Sequence, residues 1–252
     1  MSTNNPVFIL GTTRSGTSAI HLALLFALEH KGFGEGHFFE TIAEVEKTLM
    51  KCFESNAVNV RGTFMNKLGT DGIRHELYEF YRNIFEKYVS KAFIDKTPSH
   101  AAIETAPFIK KVFPEAKIIY MQRRGIENVI SKKKKFPSQS FESASNEWKQ
   151  CIKTWNNVKR SLEDFLEIEQ YNLKVNPQSE IDRISRFLDL TTEEQEKVFH
   201  FLTNKDIEKT SSKDAVDLEK SSFSEQEKSI FMNICGETMQ QEGYSLTKSY
   251  FS

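Results

Sequence analysis

Cysteine is scarce in this 252-residue chain: Cys52, Cys151 and Cys235 stand far apart and are odd in number. Without a Cys-x-x-Cys spacing they argue against a disulfide framework and fit ordinary buried or part-buried thiols in a reducing compartment. An excess of one charge is also missing. The 34 Lys and Arg residues nearly match the 35 Asp and Glu, leaving a formal −1. No field of the whole molecule therefore draws it to nucleic acid or an acidic membrane, and any charged partner must be met locally. Long apolar runs are absent as well: the longest, residues 19–28, falls well short of the roughly 20 residues of a membrane span. The opening MSTNNPVFIL has no basic segment of the kind that begins a secretory signal. These absences predict a soluble, cytoplasmic protein, and 38% hydrophobic content suits one domain spanning residues 1–252 with a sizeable core.

What the chain does contain is an alternation of periodicities. Residues 6–10 form a short continuous apolar run closed by Gly11, as in a strand buried on both faces of a parallel sheet. From Gly16 to about Glu29, Ile20, Leu24, Leu25 and Leu28 recur at helical spacing, and Lys31-Gly32 offers a stop with glycine at the C-cap. Residues 92–95, 116–121 and 165–169 read as further strands. Between them lie helical patterns at Ile73, Leu77, Phe80, Tyr81, Ile84, Phe85 and Tyr88, over residues 103–112, and at Trp148, Ile152, Trp155, Val158 and Leu162. Strands alternating with helices predict a three-layer α/β/α fold around a mostly parallel sheet. After Pro177 the pattern becomes helix upon helix, with capping boxes at Thr191/Glu194 and Ser224/Glu227. The polar stretch 209–222 reads as a loop, and beyond that residues 45–72 and 205–222 carry no assignment.

Two stretches carry chemistry. The first, FILGTTRSGTS (residues 8–18), has the outline of a phosphate-binding loop, yet Thr17 stands where the lysine of G-x-x-x-x-G-K-[ST] belongs. Small residues from Thr12 to Ser18 let backbone N–H groups turn inward, and the following helix adds its positive end, so an oxyanion is the natural guest. Arg14 is the candidate source of the missing charge, since a guanidinium forks two oxygens of a phosphate or sulfate. The second stretch, YMQRRGIENVIS (residues 120–131), places Arg123 at the C-terminal end of a strand, where open α/β sheets bind ligands. Ser131 follows eight residues later, two turns into the next helix.

Together the stretches resemble the two cofactor signatures of the sulfotransferases that use 3′-phosphoadenosine 5′-phosphosulfate (PAPS). The 5′-phosphosulfate loop [RK]-S-G-[TS]-[TS] is matched by Arg14-Ser15-Gly16-Thr17-Ser18, and the 3′-phosphate pair by Arg123 and Ser131. Asn176-Pro177 followed by Ile181, Ile184, Phe187 and Leu188, and the closing Gly243-Tyr244, look like two further regions of that family. The resemblance implies the fold of phosphate-loop kinases, PAPS as donor, PAP as product and no metal. It places Thr13, Arg14, Ser15, Gly16, Thr17, Ser18, Arg123 and Ser131 on the cofactor. Lys213, in a region where relatives carry a basic loop, is an outlying candidate.

A third segment, Asp95-Lys96-Thr97-Pro98-Ser99-His100, looks like the family's K-[TS]-P segment, with Lys96 matching a lysine on the phosphosulfate. In the branch acting on small phenols and alcohols the catalytic base lies two residues beyond that lysine. Here that position is Pro98. The base must come from elsewhere, and Glu35, between Gly34 and Gly36, resembles the glutamate of the tyrosylprotein branch. Burial beside Phe38 and Phe39 would raise its pKa toward a useful value. His37 and then His100 are the alternatives. Residues 110–135 carry nine basic and two acidic residues, a patch suited to a 3′-phosphate or to steering an anionic acceptor, although a run such as Lys132–Lys135 is usually solvated. The acceptor stays open among carbohydrate, lipid, small alcohol and tyrosine hydroxyls. The rival readings are an atypical kinase using ATP and a non-catalytic nucleotide-binding protein of the same fold.

Overall fold

Five short segments form strands, all but β2 carrying β-branched or aromatic residues buried in the sheet: β1 Val7–Gly11, β2 Lys31–Phe33, β3 Phe93–Lys96, β4 Lys117–Gln122 and β5 Phe165–Glu169. They make one sheet in the order β2-β3-β1-β4-β5, with every pairing parallel. The computed structural model describes residues 5–55, 57–204 and 215–252.

Because successive strand side chains point to opposite faces, each central strand feeds two cores. Phe8 and Leu10 of β1, with Ile118 and Tyr120 of β4, join one apolar cluster. Val7, Ile9, Ile119 and Met121 join another on the opposite face. The first is covered by α2 (Phe38–Ser55), α3 (Phe64–Tyr88), α4 (His100–Glu104), α5 (Ala106–Val112) and one side of α7 (Phe141–Val158). The second is covered by α1 (Thr17–Leu28), α9 (Pro177–Leu188) and α10 (Thr192–Asn204). A third cluster joins α6 (Gly125–Lys135), the other side of α7, α11 (Glu225–Gln241) and the C-terminal tyrosines. The expected three layers follow from a sheet that is apolar on both faces. The short helix α8 (Gln170–Val175) continues directly from β5.

Local details differ from expectation at three places. Helix α1 ends at Glu29, in the left-handed region at φ +54° with its N–H on Leu25 O. Gly32 lies inside edge strand β2, where any Cβ would fall 2.4 Å from Leu25 Cδ2. Its glycine therefore answers a close approach of strand to helix, not a helix stop. Residues 103–112 divide into α4 and α5 at Thr105, with Pro107 in the first turn of the second helix. Residues 45–72 complete α2 and open α3, which is interrupted at Gly69. Both predicted capping boxes form. Cys151 and Cys235 are buried, but Cys52 is exposed on α2.

Candidate functional site

An all-parallel sheet puts every strand's C-terminal end on one edge. The segments after β1, β3, β4 and β5 therefore meet there, and the chain crosses from one side of β1 to the other between β3 and β4. A crevice outside such a switch point is where open α/β sheets bind ligands.

The first group of side chains sits beyond β1 and β4. Ser15 folds back onto Thr12 O through its N–H (3.1 Å) and its hydroxyl (2.6 Å). Gly16 caps α1 at φ +93°, and a Cβ there would stand 3.0 Å from Gln170 Cγ. Arg14 adopts φ +68°, a left-handed conformation that costs a residue with a side chain about 1–2 kcal/mol. Its Nε donates to Ser131 Oγ at 3.1 Å, and Arg123 Nη1 donates to Arg14 O at 2.8 Å. Arg123 is itself fixed by Trp148 Nε1, which donates to its carbonyl at 2.9 Å.

Thr13 is held from both ends. Its hydroxyl donates to Glu147 Oε1 (2.7 Å) and its carbonyl accepts from Asn128 Nδ2 (2.9 Å). Lys132 Nζ lies 2.7 Å from that same glutamate oxygen. Arg123 is only 4% exposed, and burial pulls its pKa below the usual guanidinium range. Two buried atoms facing this group, Arg123 Nε and Asn128 Oδ1, have no hydrogen-bond partner among the described residues.

The second group lies beyond β2 and β3. Lys96, 6% exposed, places Nζ 3.3 Å from Glu35 Oε1. His37 stands between two carboxylates, with Nε2 3.4 Å from Glu35 Oε2 and Nδ1 3.0 Å from Glu40 Oε2. The hydrogen bond to Glu40, with Glu35 assisting, raises the His37 pKa. Ser99 Oγ donates to Glu40 Oε1 at 2.7 Å. Asp95 is buried and accepts from Thr97 Oγ1 at 3.0 Å; desolvation lifts its carboxyl to about 6. His21 on α1, also buried, is held neutral, with a pKa lowered to about 4 by burial and then by Lys96.

Several sequence expectations change. Glu35 is half-exposed; Phe38 and Phe39 turn away from it to pack on Tyr81 and Phe85. His100 opens α4 half-buried, and Ser99 joins the cluster instead. The basic patch is largely spent inside the fold. Lys110 donates to Pro114 O and Ala116 O, Lys117 pairs with Asp164, Lys133 donates to Gln139 O, and Lys132 is fully buried on Glu147. Ser18 is exposed on α1 while Thr17 is buried. Lys213 lies outside the described residues. Asn128, Glu147, Trp148 and Asp95 carry no site role in the sequence reading. For Asn128 the signal was helical spacing, three residues before Ser131 on α6.

Behind the site, Arg124 is fully buried and spends all its donors: Nε and Nη2 on Glu127, Nη1 on Ser245 O and Thr247 O, Nη2 also on Val216 O. Tyr250 OH accepts from the Arg124 N–H at 2.9 Å, and Tyr244 and Tyr250 both donate to Glu169. The C-terminal segment is thereby strapped to the binding edge. Among the described residues no helix is long and apolar enough to cross a membrane, and no cluster of three or more metal-ligating His, Cys, Asp or Glu residues occurs.

No curated protein matches the chain in sequence. Among solved structures, the sulfotransferase STF9 of Mycobacterium avium superposes with a TM-score of 0.55 at 13% identity, covering 96% of this chain and 77% of that one. The sulfotransferase domain of the Synechococcus PCC 7002 olefin synthase gives 0.44 at 17% identity, covering 77% of each chain. Sulfotransferase STF1 of Mycobacterium tuberculosis H37Rv gives 0.45 at 13% identity, covering 91% of this chain and 76% of that one. The first of these agrees with the α/β architecture. The family model described as "Sulfotransferase family" matches residues 6–194, three quarters of the chain and the whole of the sheet, and the chain belongs to that family.

Proposed function

We propose that this protein transfers a sulfuryl group from PAPS to a hydroxyl acceptor, releasing PAP. The observation that carries the reading is the bond from Arg14 Nε to Ser131 Oγ. It joins two signatures 117 residues apart in the chain, and Arg123 seals the junction by donating to Arg14 O. The residues present suit a doubly anionic guest. A buried arginine holds an unpartnered Nε, and the loop before α1 has Arg14 and Gly16 in positive-φ conformations and a helix N-terminus behind it.

When bound, the donor supplies a sulfuryl group on a phosphate that departs as an anion. Arg14 and Lys96 bind that phosphate and stabilise the charge it gains as the bridging bond breaks. The residues from Thr13 to Ser18 position it, Thr13 through its anchors on Glu147 and Asn128. Arg123 and Ser131 hold the 3′-phosphate.

Glu35 takes the acceptor's proton as the new O–S bond forms. His37 is poorly suited to that task because its two carboxylate neighbours favour the imidazolium, which has no lone pair to offer. Lys96 bridges to Glu35 in the present arrangement, so a lysine drawn toward the donor frees a carboxylate oxygen for the acceptor. Carbohydrate, small alcohol and tyrosine hydroxyls all fit this chemistry.

Calorimetry with PAP, ADP and ATP, followed by transfer of labelled sulfate from PAPS to an acceptor panel, tests the proposal. Tighter binding of PAP than ADP, with transfer, is the expected result. A preference for ATP or ADP would replace it with kinase chemistry, and tight PAP binding without transfer would leave a binding protein.

A further inference from the structure

Helix α8 contributes a lysine to the binding edge that neither signature contains. Gln122 at the end of β4 is in register with Glu169 at the end of β5, so the residues following each strand, Arg123 and Gln170, start side by side. Gln170 lies against the phosphate loop, its Cγ 3.0 Å from the position of a Cβ on Gly16. Tyr171 stacks on Tyr250 at 4.1 Å, and Tyr250 OH accepts from the N–H of Arg124, next to Arg123. Lys174 is four residues beyond Gln170 and three beyond Tyr171, which places it on the same face of α8 as both.

We propose that Lys174 is a binding residue for the 3′-phosphate of the nucleotide, acting with Arg123 and Ser131. The inference rests on the donor assignment above.

The electrostatics of the neighbourhood support it. Lys174 keeps much of its surface exposed, yet its ammonium pKa is lowered to about 8 by desolvation first and then by the nearby charge of Arg123. The two carboxylates nearest Arg123 are committed elsewhere. Glu127 is forked by Arg124 and also accepts from Val216 N, and Glu169 accepts from Tyr244 and Tyr250. Two like charges thus converge in a part-desolvated place beside an unpartnered guanidinium nitrogen. A dianion between them would relieve both the repulsion and the desolvation.

The test compares PAP with adenosine 5′-phosphate, which lacks the 3′-phosphate, by calorimetry on the full chain and on Lys174→Met and Lys174→Arg. The wild type should prefer PAP. Lys174→Met should lose roughly tenfold or more in PAP affinity while binding adenosine 5′-phosphate unchanged, which also reports an intact fold, and Lys174→Arg should recover most of the loss. Lys174→Met that keeps the wild-type preference, or loses affinity for both nucleotides equally, would overturn the assignment. A wild type with no preference for PAP would instead sink the donor assignment, and this inference with it.

Discussion

Arg14 combines a strained backbone with the proposed role of principal cation, and the two properties separate by mutation. Its φ of +68° lies where a side chain costs about 1–2 kcal/mol and glycine costs nothing. Arg14→Gly and Arg14→Ala lose the same guanidinium contacts, including the bond to Ser131, so the difference between them isolates the backbone. Replacing alanine by glycine ordinarily destabilises by about 0.4–1 kcal/mol through the unfolded chain. Relief of left-handed strain offsets that, so Arg14→Gly should be as stable as Arg14→Ala or up to about 1.5 kcal/mol more stable. In a chain of this size the upper figure corresponds to about 3–6 °C in Tm. Both variants should lose about 10²–10³ in turnover, the usual cost of one donor aimed at developing charge. Urea melts of the pair, alongside sulfate release from PAPS, measure both effects. Arg14→Ala clearly more stable than Arg14→Gly would refute the strain argument, and undiminished turnover in either would refute the role.

Two further outcomes follow from the Glu35 loop. A Cβ on Gly36 would fall 2.2 Å from Asp95 Oδ1, whereas a Cβ on Gly34 meets nothing within 4 Å. Gly36→Ala should therefore cost about 1–3 kcal/mol and lower turnover by displacing Glu35, while Gly34→Ala stays within about 0.5 kcal/mol of wild type. Equal thermal shifts for the two would contradict this packing. Asp95 has a folded pKa near 6 against an ordinary 3.8, so its contribution to stability is present below 3.8 and lost as pH rises through 6. Asp95→Asn, which keeps an acceptor for Thr97, should match wild type near pH 3.5 and exceed it at pH 8 by at most about 3 kcal/mol. Denaturant titrations at the two pH values check this; a wild type that gains on the variant as pH rises would invert the sign.

Much of the scaffold was legible because it depends on local pattern. Residues 165–169 were bounded correctly as a strand, and the strands at β1, β3 and β4 were placed within one residue at each end. Their composition suits a sheet buried on two faces whatever lies beyond it. Helix α2 carried an equally good signal in Phe39, Ile42, Ala43, Met50 and Phe53, all of which are buried. Strand β2 had no such signal: Lys31-Gly32-Phe33 is an edge strand of three residues, fixed by pairing with Phe93, Ile94 and Asp95. Tertiary pairing overrides propensity in so short a segment.

The fate of charges was least legible, and the adjacent arginines show why. Arg123 and Arg124 have the same chemistry and the same strand end, yet Arg124 meets acceptors with all five of its N–H donors whereas Arg123 keeps Nε without a partner among the described residues. Saturation makes Arg124 a strap for the C-terminal segment; the open donor makes Arg123 available to an anion. The family resemblance, which pairs Arg123 with Ser131, is the one sequence signal that separates them, and it is silent on the role of Arg124, whose acceptors Ser245, Thr247 and Val216 lie about 90–125 residues away. Lys132 repeats the lesson from the other side. Within a run of four lysines it read as solvated, but it is three residues from Val129 and four from Asn128, both fully buried on α6. Helical phase alone turned it inward to Glu147, the carboxylate that anchors Thr13. In a chain of nearly balanced charge, a cation is a candidate for ligand binding only after the fold has shown which partners it has already met.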